Sequence, residues 1–176
     1  MFKTTLTILA LAAGVAIAAV PAVAGKQSGS ATGGIKLSDG QQTSFSVKDG
    51  NRLGNHNDPS TNTAGDRGHV EYHDGAVHFT ADVLCAAYIT PQDLDSDDPN
   101  PGYKMRFVYQ EPDGSYTVVR VVDGGSPGRN GDTYASGHPS SLTDALNWCN
   151  RGARGSGHPL SAWTFYRIIA GNVVVH

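Results

Sequence analysis

His69-Val70-Glu71-Tyr72-His73, followed closely by His78, brings three imidazoles and a carboxylate into one short segment. Neutral ring nitrogen and anionic oxygen are donors that zinc prefers, and alternate residues of a strand share a face. The pattern is not the H-E-x-x-H zinc motif, which needs a helix to bring its two histidines together. At roughly 3.3 Å per residue, His69 and His73 stand about 13 Å apart on an extended backbone, so one ion cannot take both. A zinc site here therefore draws on Glu71 and His78 with one of the flanking histidines. Without metal, Glu71 and His78 read as a cross-strand pair on a solvated sheet face.

A second donor set is D-L-D-S-D-D-P-N. Asp93, Asp95 and Asp97 match the first three ligand positions of a calcium loop, with Asp98 beside them. Calcium takes several oxygens from a turn, but an EF-hand needs glycine at the sixth position and glutamate at the twelfth. Asp98 and Lys104 stand there instead. The segment reads first as an exposed acidic turn and second as a non-EF calcium site. Hydrolase chemistry finds less to use. His138 and His158 precede prolines in turn-like contexts, and Glu71 and Glu111 are the chain's two glutamates. Trp148 and Trp163 read as core residues rather than sugar-stacking platforms. No catalytic residue is assigned.

The elements that must position these groups are mostly strands. The 176-residue chain opens with Lys3, a small and apolar run, and Ala22-Val23-Ala24 before Gly25, the layout of a secretory signal peptide over 1–24. Residues 25–34 read as a flexible, glycine-rich lead-in, and 35–176 as a single β-rich domain. Cys85 and Cys149, an even count in an exported chain, are expected to form one disulfide. A net charge of −3 with no basic-aromatic cluster gives no electrostatic case for nucleic acid or anionic lipid. No stable membrane insertion is expected after leader cleavage.

Asp74-Gly75 suits the two φ-positive positions of a type I′ hairpin. That turn puts His73 opposite Ala76 and Glu71 opposite His78, with Val70, Tyr72, Val77 and Phe79 on one apolar side. E-P-D-G-S, set by Pro112 and Gly114, reads as a second hairpin between strands at 103–110 and 116–122. Ser140 or Ser141 can cap a short helix near 141–150. Terminal strands follow at 163–169 and 172–176, and no repeat at a fixed period is evident. The expected class is all-β: an antiparallel sandwich or partly closed barrel of short strands, with one short helix and one disulfide.

The glycine-rich stretch V-V-D-G-G-S-P-G-R-N-G-D, 121–132, is not a phosphate loop, because no helix follows to aim its amides at an anion. It reads as a structural turn. Asp123 accepts backbone hydrogen bonds beyond the strand end, Pro127-Gly128 favours a type II turn, and Arg129 bridges to Asp123 or Asp132. Together with G-G-I-K, T-S-F-S-V, G-H-V-E-Y-H-D and the terminal A-G-N-V-V-V-H, this stretch resembles a family of secreted, largely uncharacterised bacterial β-rich domains. Their pattern is a strand entering D-N-G-x-P-G-x-x-D-T-F, followed by G-N-I-x-V-H. Asp123, Gly125, Pro127, Gly128, Arg129 and Asp132 fall on the first part, with one additional residue before the aspartate. The resemblance implies a compact exported β domain and supplies no substrate or catalytic residue. The functional expectation is a secreted, non-enzymatic domain with a structural or interaction role toward an extracellular or cell-surface partner. The alternatives are a calcium- or zinc-binding extracellular domain and a small secreted hydrolase.

Overall fold

The computed structural model describes residues 29–50, 65–89, 103–124, 131–150 and 162–176. The strands are β1 (Ser30–Leu37), β2 (Gln42–Lys48), β3 (Arg67–Asp74), β4 (Val77–Ile89), β5 (Tyr103–Gln110), β6 (Tyr116–Asp123), β7 (Thr133–Gly137), β8 (Thr164–Tyr166) and β9 (Ile168–Val175), with one helix, α1 (Leu142–Asn150), between β7 and β8. They form one antiparallel sheet in the order β8-β7-β6-β5-β4-β3-β2-β1-β9. The sheet curls into a nearly closed barrel, the second of the two architectures expected. Two long strand runs turn its corners. β4 pairs with β3 through its first half and with β5 through its second, separated by a bulge at Leu84. The run β8–β9 pairs with β7 and then with β1.

Alternation along the strands fills the interior with Ala31, Ile35, Leu37, Phe45, Val47, Val70, Met105, Phe107, Val119, Val121 and Val173. Phe45 and Phe107 meet ring to ring, 5.3 Å between centroids. A second apolar cluster lies outside the barrel wall, where α1 and Trp163 cover β4–β7: Cys85, Val108, Val118, Ala135, Ala145, Trp148 and Cys149. The Cys85–Cys149 disulfide ties the helix to β4. Ser141 caps α1 as expected, its Oγ accepting the Asp144 amide at 3.2 Å. Both tryptophans are core residues, at 7% and 8% exposure.

Two expectations need correction. The lead-in does not stay loose up to Gly34: β1 starts at Ser30, and Ala31 is fully buried. β1 lies between β2 and β9, so its backbone is bonded on both sides, and Gly33 is required by packing, since a Cβ there would sit 2.4 Å from the Phe45 ring. The β3–β4 turn also differs. Positive φ falls on Gly75 alone, at 56°, the first central position of a Gly75-Ala76 turn, as type II′ chemistry requires. His73 therefore faces His78, and Glu71 faces Thr80.

The chain is built from two equivalent halves, although no fixed period announces them. β1–β2 and β5–β6 are hairpins of the same construction. Asp39-Gly40 and Asp113-Gly114 form the tips, Leu37 and Glu111 accept the Gly40 and Gly114 amides, and each aspartate carboxylate accepts the amide two residues on. One constant offset relates Asp39 to Asp113, Thr43 to Thr117, Val47 to Val121, and Asp49-Gly50 to Asp123-Gly124. It also carries the β1–β2 register onto the β5–β6 register. Each half ends in a corner strand that crosses to the first strand of the other: Ala86 opposite Phe107, and Val173 opposite Gly33. The equivalence stays hidden because more residues separate Asp49-Gly50 from Asp66 than separate Asp123-Gly124 from Asp132.

Candidate functional site

The Glu-His segment converges at the β3–β4 hairpin. Glu71 Oε1 lies 3.2 Å from His73 Nε2 and 3.2 Å from His78 Nε2, and one ligand atom from each of the three side chains falls within 4.8 Å of the others. The imidazoles stack with centroids 3.9 Å apart and planes 13° from parallel. Ser44 Oγ donates to the other carboxylate oxygen, Oε2, at 3.3 Å, which turns Oε1 toward the histidines. The hydrogen bonds from His73 and then His78 hold the Glu71 carboxyl below its ordinary pKa. The third flanking residue, His69, faces Asp82 and stands outside the group.

Register explains the placement. Lys36, Gln42, His73 and His78 are successive cross-strand neighbours, and beside them run Gly34, Ser44, Glu71 and Thr80. These two rows lie on the outward face, opposite the buried Ile35, Thr43, Val70 and Phe45 positions. An open groove of about 440 Å³ crosses the rows, lined by Lys36, Gln42, Ser44, Glu71 and His73. Gly34 supplies part of its floor, since a Cβ there would meet nothing within 4 Å.

The aspartates at the two ends of the glycine-rich stretch, Asp123 and Asp132, accept backbone amides. Asp132 Oδ1 accepts the Gly124 amide at 3.1 Å and Oδ2 the Val173 amide at 2.9 Å, while Asp123 Oδ2 accepts the Val175 amide at 3.1 Å. The same clasp occurs in the first half. Asp66 accepts from Gly50 at 3.0 Å and Ala86 at 2.9 Å, and Asp49 accepts from Tyr88 at 3.0 Å. Each clasp closes over a glycine pair. A Cβ on Gly50 would sit 2.0 Å from Gly65, one on Gly124 2.3 Å from Gly131, and Gly65 and Gly131 take φ of 89° and 104°. The clasps stitch both corner strands where their neighbour's ladder has ended. Burial, opposed by these hydrogen bonds, raises the Asp66 pKa to about 6. Asp123 and Asp132 thus have backbone amides of Gly124 and of β9 as their partners. Gly125, Pro127, Gly128 and Arg129 lie outside the described residues, as do the expected leader, the aspartates Asp93, Asp95, Asp97 and Asp98 of the expected calcium site, and His158.

A Thr-His-Glu grouping that sequence reasoning did not assemble links Thr117 to Glu111 Oε1 at 2.5 Å and to His138 Nδ1 at 3.2 Å. Thr117 is 2% exposed and its hydroxyl donates a hydrogen bond to the Glu111 carboxylate, an arrangement that braces the β5–β6 hairpin.

Fold and site together define an antiparallel, nearly closed β-barrel with a Glu-His cluster on its uncovered outer face. Compared with known proteins, the chain matches no family model, no curated protein and no solved structure.

Proposed function

We propose that the protein is a secreted, non-enzymatic β domain with a structural or interaction role outside the cytoplasm, as the resemblance to exported bacterial β-rich domains implies. The observation that supports this reading most directly is the covalent tie between Cys85 and Cys149, a bond that persists in oxidising compartments. The clasp aspartates agree with it, because they hold backbone amides. The test follows the natural chain in cells. Envelope and medium fractions are expected to contain protein beginning near Gly25 with both cysteines oxidised. Recovery solely from the cytoplasm, with the leader intact and free thiols, would sink the reading.

A second reading, an extracellular metal-binding domain, is favoured by the carboxylate that faces two imidazoles on β3 and β4. It joins the first reading rather than replacing it, since a rigid barrel presents such a cluster without using its core.

A further inference from the structure

The geometry points to a divalent transition-metal site on the β3–β4 hairpin, with His73 Nε2, His78 Nε2 and Glu71 Oε1 as protein ligands and zinc or copper as the ion. The assignment rests on the metal-binding reading and narrows it to three atoms and one class of cation. Tetrahedral zinc with bonds of about 2.0–2.1 Å separates its donors by about 3.3–3.4 Å, and a square-planar ion separates neighbouring donors by about 2.9 Å. The two Glu71-to-histidine separations, both 3.2 Å, fall between these values, so the carboxylate oxygen already stands at ligand spacing from each imidazole.

Reaching coordination requires the stacked rings to fan apart so that both nitrogen lone pairs meet. Their side chains are 47% and 55% exposed, so rotation displaces solvent and leaves the core packing unchanged. Ser44 supplies the outer hydrogen bond that fixes a ligating carboxylate. Two imidazole donors favour zinc and copper over calcium or magnesium, which take oxygen. Three protein ligands leave a coordination position for water, the arrangement of an open rather than a closed structural zinc site. Glu71 and His73 also line the groove that continues toward Lys36.

Among the described residues, the equivalent stretch of the second half carries no such set: β7 is followed by α1 instead of a two-residue hairpin. The cluster therefore belongs to what distinguishes the halves, whereas the clasps belong to what they share.

Calorimetric titration of the leader-free chain with zinc and, separately, with copper tests the assignment. One equivalent is expected, with affinity reduced by about tenfold or more in His73→Ala and in His78→Ala, and unchanged in His69→Ala. Copper added to the unsubstituted protein should broaden the ring resonances of His73 and His78 before those of His69, a readout that survives if a variant fails to fold. Affinity unchanged from the unsubstituted protein in both alanine variants, or broadening elsewhere first, would overturn the three-atom site while leaving metal binding standing. Binding of neither metal would remove both.

Discussion

Four aspartates do most of the polar work of this barrel, and their chemistry is that of a carboxylate asked to satisfy backbone amides. Asp132 uses both oxygens, one for Gly124 and one for Val173. An isosteric Asp132→Asn change keeps a single carbonyl acceptor and turns an NH2 group toward the other amide. The expected loss is about 1–3 kcal/mol, since a buried donor left unpaired costs that much. It is read from the urea midpoint, and an unshifted midpoint would mean that the clasp is not closed in solution. Asp66 makes the matching bonds, but burial is the largest influence on it and raises its pKa to about 6. A raised carboxyl pKa means that the folded protein binds the proton more tightly than the unfolded chain. Its stabilising contribution is complete below the ordinary value of 3.8 and is lost as pH rises through about 6. Between pH 4 and 7, native protein should therefore lose stability relative to Asp66→Asn, by about 1 kcal/mol after allowance for solvent screening. Parallel stability profiles for the two proteins would remove Asp66 as the titrating group.

Strands, hairpin tips and the single helix were legible in the sequence because alternation, Asp-Gly turns and a serine cap are local signals. Register was not. Moving the β3–β4 pairing from His73 opposite Ala76 to His73 opposite His78 is an even step, which leaves every side chain on its original face. The hydrophobic pattern therefore could not separate the two pairings, and the third member of the Glu-His cluster was settled by tertiary structure. The first half of β1 escaped for another reason: its Gly33 looks flexible alone, yet is demanded by the Phe45 ring. The helix shows what a covalent tie adds to such an element. α1 is nine residues long, too short to persist on its own, and it is held by Cys149 and by Trp148, whose ring lies 5.3 Å from that of Trp163. Reducing the disulfide should cost about 2–4 kcal/mol. Because both indoles are buried beneath this layer, a red shift of tryptophan fluorescence should accompany the loss. If reduction leaves both denaturation midpoint and emission unchanged, the second apolar cluster holds the helix without the bond.

At the scale of the whole molecule, the two halves make the barrel a fused pair in which neither half completes its own sheet. The crossing from β4 to β5 and the meeting of β9 with β1 are equivalent joints, one continuous in the chain and the other made by its first and last described strands. Ser30 and His176 exchange backbone hydrogen bonds of 2.9 and 2.8 Å, so the folded structure already brings together the points that a peptide linker would join. A permuted chain that starts at Tyr103, passes from His176 through a short glycine-serine linker to Gly29, and ends at Ile89 preserves every strand pairing. It exchanges one joint for its equivalent, and closure entropy changes slowly with loop length. The permutant should fold cooperatively with native circular dichroism and lie within about 2 kcal/mol of the parent. Cutting instead between Gly124 and Gly131 separates the glycine pair of a clasp and removes the connection that keeps Asp132 beside Gly124, so that permutant should be markedly less stable. If the two rank the other way, the clasps are incidental to barrel closure and the joints between the halves are what the fold cannot spare.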